Sequence, residues 1–194
     1  MAELRIVAGA WRGRRFLVPE SGVRPTADRV REAWMSIVQM WIPDARVLDL
    51  CAGTGALGLE ALSRGAAHCD FVEKDAKVLA TLQQNLTGLG AGERATVHRS
   101  EVVRFLTERG GGAALAPPAS DAAPPPEWDL AFADPPYNQG IAEALAARWL
   151  AAPFATIFGV EHEVQVTLPS PETGPAPDRR VYGITALTFY RLAN

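Results

Sequence analysis

The sequence predicts an α/β protein, with a mostly parallel sheet covered by helices on both faces and a short β-hairpin ahead of it. Three observations carry this. Through the middle of the chain, short apolar runs of strand length alternate with amphipathic segments of helix length, the pattern of successive βαβ units. A tight turn, Ala52-Gly53-Thr54-Gly55, joins the first such strand to the first such helix. Ahead of both, residues 4–18 alternate imperfectly between apolar and polar positions, and Gly9 and Gly13 punctuate them, as in an Arg-decorated hairpin or ribbon.

The elements follow in order. Val30, Ala33, Trp34, Ile37, Val38 and Trp41 form one apolar stripe at helical spacing. Thr26 is placed to cap that helix after Pro25, and Pro43 to end it. Trp34 and Trp41 are expected to anchor it in the core. Arg46–Leu50 reads as a buried strand, Ala56–Ser63 as a helix stopped by Gly65, and Cys69–Glu73 as a second strand. Asp75–Leu86 carries Val78, Leu79, Leu82 and Leu86 on one helical face. A third strand over Ala95–His98 precedes a helix over Glu101–Arg109. The rhythm then breaks into a Gly/Ala/Pro tract at 110–127, a composition that buries little and predicts a flexible loop. It resumes with a strand at Trp128–Ala133, a helix at Ile141–Leu150 and a strand at Thr156–Glu161. Val164–Leu168 and Thr185–Leu192 read as further strands about a Pro-rich turn at 169–177. Residues 1–25 are thus an Arg-rich extension and 26–194 one catalytic-sized domain.

Composition narrows the class. The chain has 194 residues, 48% hydrophobic and 21% charged, ordinary values for a globular protein that needs no staples. Two cysteines build no disulfide framework, which predicts a reducing cytoplasm. No apolar run approaches the roughly 18 residues of a membrane span, and the N-terminal residues lack the apolar core of a signal peptide. The net charge of −3 argues against nucleic acid until it is divided. Residues 1–31 carry seven Arg and three acids, +4 in all, and the remainder carries −7. A basic head on an acidic body is compatible with a nucleic-acid partner, and equally with a solvated Arg-rich surface.

Gly53-Thr54-Gly55-Ala56-Leu57-Gly58 is literally G-x-G-x-x-G, and Glu73 follows Gly53 by twenty residues at the end of the next strand. That spacing satisfies the dinucleotide fingerprint, so an NAD-binding oxidoreductase is one reading. Asp49 tilts the choice. A carboxylate four residues before the loop would repel a pyrophosphate but favour the cationic ammonium and sulfonium of S-adenosylmethionine. A simpler role for Asp49 is to sit as an anion at a helix N-terminus. Glu73 is suited to accept from ribose hydroxyls, and Asp75 to cap the next helix.

Asp134-Pro135-Pro136-Tyr137 ends the fourth strand. In an open α/β sheet this tetrapeptide and the glycine loop emerge at the same carboxyl edge. Two prolines restrict the backbone and remove two N–H donors. The Asp134 carboxylate and the Pro135 carbonyl then form a fixed pair of acceptors, and Tyr137 offers a flat face. Such a set suits a planar base with an exocyclic amine, whose N–H groups it binds and whose developing positive charge it stabilises. A plain Pro-Pro turn is the competing reading for the tetrapeptide in isolation.

With these motifs in hand, the chain resembles the class I S-adenosylmethionine-dependent methyltransferases that act on exocyclic amines. The segments Arg5–Gly9, Trp11–Arg15, Arg24-Pro25-Thr26, Asp28–Glu32, Gly55–Gly65, Val160-Glu161-His162 and Tyr182–Tyr190 resemble the RsmD family. The resemblance covers nearly the whole chain. It implies a Rossmann-like class I sheet of seven strands with an antiparallel edge and an N-terminal hairpin. It implies methylation of N2 of guanine 966 in 16S rRNA within an assembling small subunit, by a monomer that uses S-adenosylmethionine and releases S-adenosylhomocysteine. Asp134, Pro135, Pro136 and Tyr137 would be catalytic. Asp49, Ala52, Gly53, Thr54, Gly55, Glu73, Lys74, Ser100 and Glu101 would hold the cofactor. Glu101 departs from the Asn or Asp usual near the adenine, which leaves Ser100 as its alternative. Arg5, Arg12, Arg14, Arg15, Arg24 and Arg29 would meet RNA. An N6-adenine methyltransferase would share the tetrapeptide, and a non-catalytic RNA-binding assembly factor would share the basic head. His68, His98 and His162 have neither the spacing nor the cysteine neighbours of a metal site. His162 suggests packing more than substrate contact. Trp11 fits stacking on RNA and packing in the hairpin equally well.

Overall fold

A computed structural model describes residues 1–20, 25–110 and 125–192. Strands β1 (Ala2–Arg5) and β2 (Arg15–Val18) pair antiparallel as the hairpin, with Ala2 opposite Val18 and Arg5 opposite Arg15. Then come α1 (Pro25–Val38), β3 (Arg46–Leu50), α2 (Ala56–Ser63), β4 (His68–Glu73), α3 (Ala76–Leu89), β5 (Ala95–Arg99) and α4 (Val102–Gly110). The chain continues through β6 (Trp128–Ala133), α5 (Ile141–Ala151), β7 (Ala155–Glu163), β8 (Asp178–Tyr182) and β9 (Thr185–Arg191). One seven-stranded sheet runs in the order β5-β4-β3-β6-β7-β9-β8. Its first five strands are parallel, and β9 runs antiparallel to both neighbours. The predicted class, a mostly parallel Rossmann-like sheet with an N-terminal hairpin, is the observed one.

Period-2 alternation divides the core. Val47, Phe71, Leu130 and Phe132 face one apolar layer, with α1, α2, α3 and the hairpin. Leu48, Val72, Ala131 and Ala133 face the other, with α4 and α5. The sheet is therefore buried on both faces, as its near-continuous apolar strands require.

The hairpin is stitched onto this body rather than extended from it. Ile6, Trp11, Phe16 and Val18 are buried in the shared core. Glu60 of α2, itself 1% exposed, accepts the backbone N–H groups of Val7 and Ala8 at 2.9 and 3.0 Å. The Ser63 hydroxyl accepts from Trp11 N–H and donates to the Ala8 carbonyl. Asn85 of α3 accepts from Leu17 N–H and donates to the Leu17 and Thr54 carbonyls. Gly9 is fixed by this approach. Its φ is +84°, and a Cβ there would lie 1.9 Å from the Ser63 carbonyl oxygen.

Several expectations are corrected. Val164–Leu168 is not a strand. Val166 N–H turns back to the Glu163 carbonyl, and the pairing strand is instead β8, Asp178–Tyr182. That strand is charged and largely exposed, because an edge strand has little apolar surface to bury and so shows no apolar run. Trp41 is not a core anchor: α1 ends at Val38, a 3-10 turn covers Gln39–Trp41, and the tighter turn takes Trp41 off the stripe. It is 41% exposed, with the Arg191 guanidinium 4.5 Å from its ring centre. Trp34, by contrast, is 1% exposed between Phe132 and Phe189. Trp11 packs in the hairpin core, beneath Arg94. The Thr26 cap, Arg24 and residues 111–124 of the Gly/Ala/Pro tract lie outside what the structure describes. Among the described residues, no helix is long and apolar enough to cross a membrane.

Candidate active site

The carboxyl ends of the parallel strands form one rim, and two adjoining cavities open along it. The first, about 460 Å³, is lined by Glu73, Lys74, Ser100, Glu101, Asp134, Pro135, Pro136 and Tyr137, together with Cys51, Val72, Val102 and Ile141. The second, about 390 Å³, includes Asp49, Ala52, Gly53, Thr54, Glu73, Asp134, Arg31, Trp34 and Glu161. Cys51, Glu73 and Asp134 belong to both, so they mark the junction.

The glycine loop is held from behind. Glu73 accepts Gly53 N–H at 3.0 Å with one oxygen and Asp75 N–H at 2.9 Å with the other. Asp49 is 2% exposed and accepts Gly58 N–H at 2.9 Å, in the first turn of α2. It is therefore an anion at a helix N-terminus and a wall of the second cavity at once. Burial pushes its carboxyl well up, partly offset by the Gly58 hydrogen bond, and Asp134 and Glu73 add repulsion. Gly58 sets how close α2 lies to the sheet, since a Cβ there would meet the Phe71 ring at 2.3 Å and the Cys69 sulfur at 2.7 Å. Gly55 does not line either cavity; it caps α2 and packs against Leu82 and Leu59. Asp75 caps α3, accepting from Lys77 and Val78 N–H. Glu101 caps α4 through Arg104 N–H, and Ser100 donates to the Glu101 carbonyl.

At the tetrapeptide Asp134 is exposed at the cavity junction, yet the walls around its carboxyl strip enough water to push it up to about 6. The Tyr137 hydroxyl lies 3.2 Å from Glu161 Oε1, to which it donates, and 2.8 Å from the Thr185 hydroxyl. Burial, with Glu161 and Asp134 nearby, raises this phenol to about 12, so it stays neutral. The Cys51 thiol is likewise raised to about 12 by burial and the surrounding carboxylates, which removes any nucleophilic role near neutral pH.

Glu161 is the residue that sequence reasoning missed. It ends up on β7 with Trp34 Nε1 donating to Oε2 at 3.3 Å and Tyr137 donating to Oε1. Burial first, and Asp134 second, push its carboxyl up to about 8. Its one sequence signal is an acid at the carboxyl end of a strand bordering the tetrapeptide's strand. His162 beside it is buried and bonded to the Thr188 hydroxyl and the Glu163 carbonyl, which is a packing role.

The arginines divide. Arg5, Arg12, Arg14, Arg15 and Arg29 are all exposed. Arg14 also donates to the Leu89 and Gly88 carbonyls at the end of α3, and Arg15 pairs on the surface with Glu3 at 2.8 Å. Arg14 and Arg15 thus carry contacts within the protein while still facing solvent.

A family model described as conserved hypothetical protein 95 matches residues 4–191. The ribosomal RNA small subunit methyltransferase D of Escherichia coli K12 is 38% identical across 97% of this chain and 90% of its own length. Its Haemophilus influenzae counterpart is 35% identical across 97% and 94%. The chain belongs to the RsmD family. The solved structure of the Escherichia coli protein YhhF superposes with a TM-score of 0.77 at 36% identity over 97% of both chains. The RsmD fold is thus the class I methyltransferase sheet with its hairpin packed against α2 and α3.

Proposed function

We propose that this RsmD protein methylates the exocyclic N2 amine of a guanine in 16S rRNA, with S-adenosylmethionine as donor. One observation carries the reading. The Asp134 carboxylate stands where two cavities meet, one reaching Ser100 and Glu101 and the other the glycine loop. A two-ended cofactor fits that shape, with its nucleoside along Glu73, Lys74, Ser100 and Glu101 and its amino-acid end against Asp49, Ala52, Gly53 and Thr54. The donor set fits as well: four carboxyls, those of Asp49, Glu73, Asp134 and Glu161, line the cavities at the junction, and a cation there favours their ionised forms. A pyrophosphate fits poorly, because Asp49 already takes the Gly58 N–H at the α2 N-terminus, where dinucleotides place phosphate.

When bound, the cofactor supplies an electrophilic methyl group on a sulfonium. The chain's own residues orient the amine. The Asp134 carboxylate accepts one N2–H and the Pro135 carbonyl the other, and the Tyr137 ring stacks on the base. These acceptors strengthen as positive charge develops on N2, which is preorganised electrostatic stabilisation, and the fixed backbone supplies alignment. The base must leave its stack to reach the rim. Arg5, Arg12 and Arg29 supply phosphate contacts beside it.

The test is transfer of labelled methyl groups to 16S rRNA, free and within small-subunit particles, with mass spectrometry of the digested RNA. A single N2-methylguanosine, at 966 by the family resemblance, supports the reading. N6-methyladenosine, or no transfer to any small-subunit substrate, rejects it.

A further inference from the structure

We infer that Glu161 is a positioning residue that shares one proton with Asp134, so that the pair senses the charge of the bound cofactor and receives the proton that N2 gives up. This rests on the methyltransferase reading and adds a proton path to it.

The geometry is specific. Glu161 and Asp134 sit at the carboxyl ends of adjacent parallel strands and line the same cavity. Glu161 also lines a third cavity of about 270 Å³ behind Tyr137, so it bridges the cofactor and base sides of the rim. Its own contacts are neutral donors, Trp34 Nε1 and the Tyr137 hydroxyl. Among the described residues, the charged groups facing this region are mostly acids: Asp49, Glu73 and Glu101 from the cofactor side, with Lys74 beside them, and Glu143 and Glu163 from the side of α5 and β7. Among the described residues, the cation on the second cavity is Arg31, whose guanidinium lies over Phe16 and donates to the Arg5 carbonyl. His162 points to Thr188. Two carboxyls on one cavity wall do not both ionise readily, since adjacent like charges favour retention of a proton. Loss of water contact pushes Asp134 to about 6, and the same cause with repulsion from Asp134 pushes Glu161 to about 8. The shared proton belongs to the pair rather than to either residue.

A sulfonium beside the pair compensates its second negative charge, so the proton leaves when the methyl donor binds. Transfer forms the N2–CH3 bond and breaks the S–CH3 bond. The electron pair of the latter stays on sulfur, leaving a neutral thioether, and one N2 proton passes to Asp134. Loss of the positive charge raises the pair's proton affinity at the step that produces a proton. Through Tyr137, Glu161 also fixes the ring on which the base stacks.

Calorimetric titration of the full chain with S-adenosylmethionine and with S-adenosylhomocysteine, in buffers of different ionisation enthalpy, reads the proton count directly. The methyl donor is expected to release roughly one proton more than the product near neutral pH, and its affinity relative to the product to rise about tenfold per pH unit around pH 7. Glu161→Gln keeps the shape, can turn its amide oxygen to Trp34 Nε1 and its amide N–H to the Tyr137 hydroxyl with that bond reversed, and cannot ionise. It should flatten that ratio to within about twofold, as should Asp134→Asn. Equal proton counts for the two ligands in the wild-type protein overturn the inference, as does a wild-type ratio profile in either folded variant. Should Glu161→Gln fail to fold, Asp134→Asn alone decides. If the wild-type chain binds neither ligand, the methyltransferase reading itself falls.

Discussion

The hairpin and the strand-end rim hold most of the functional charge, and they use it in opposite ways. In the hairpin region the buried Glu60 is bonded on both oxygens. It is met by two backbone N–H groups and Arg64, and nearby the exposed Arg14 reaches two carbonyls. Along the rim, the exposed Asp134 and the half-buried Glu161 stand among other acids, and both carboxyls are raised. A satisfied buried charge builds structure. An under-compensated one costs stability, and it persists where a ligand completes it.

The sharpest way to break this contrast is to remove charge from each side and ask what is lost. Asp134→Asn should lower single-turnover transfer by roughly 100-fold or more while both cofactor forms still bind, because an acceptor of developing charge is gone. A variant with more than half the wild-type rate would remove Asp134 from the chemistry. Glu60→Ala should do the reverse. It leaves two backbone N–H groups and Arg64 without their acceptor, so unfolding free energy should fall by about 3 kcal/mol, read by denaturant titration. Folded Glu60→Ala protein at low temperature should keep a wild-type cofactor affinity. If it loses cofactor binding in step with stability, the two regions are not separable.

Much of this was legible in the sequence, for physical reasons. Near-continuous apolar runs such as Val47–Leu50 and Phe71-Val72 must be sheet buried on both faces. The Gly53–Gly58 spacing must bring a helix close to it, and Gly58 touches Phe71 and Cys69 as that predicts. Asp134-Pro135-Pro136-Tyr137 announced itself because two prolines leave the backbone few choices. What was not legible depends on long-range contact. Charge counting makes all the hairpin arginines alike, and nothing local says that Arg14 meets Leu89, 75 residues away. Glu161 looked like one acid among many until Trp34 and Tyr137, 127 and 24 residues distant, converged on it. The edge strand Asp178–Tyr182 carries too few apolar residues to signal itself.

The raised carboxyls make a pH prediction with a definite sign. In the unfolded chain Glu161 ionises near its ordinary value, whereas in the fold it keeps its proton up to about 8. Between those values the unfolded state binds fewer protons, so stability contributed by this site falls as pH rises from about 4 to about 8 and is level above that. Glu161→Gln has no proton to lose. Its melting temperature relative to wild type, without cofactor, should therefore climb through that window. S-adenosylmethionine should narrow the gap by supplying positive charge. A difference independent of pH would mean that Glu161 is ionised in the folded protein throughout, and the contrast with the satisfied Glu60 would lose its basis.

The smallest effects separate arginines that grip RNA from those that hold the fold. Arg12 is exposed at the hairpin end, and Arg14 two residues later is bonded to α3. Each phosphate contact removed lowers the slope of log affinity against log salt by about 0.7 to 0.9. Arg12→Ala should show that drop with unchanged stability. Arg14→Ala should leave the slope alone and reduce stability by about 1 kcal/mol, the net value of its backbone hydrogen bonds. Binding of a 16S rRNA fragment across a salt series, paired with a denaturant melt of each variant, reads both quantities. If Arg14→Ala lowers the slope as much as Arg12→Ala, the bonds to Gly88 and Leu89 open when RNA binds, and the hairpin is a grip that happens to be parked on α3. If neither slope moves, RNA is held elsewhere on the molecule, and the positive charge of the first 31 residues belongs to the fold.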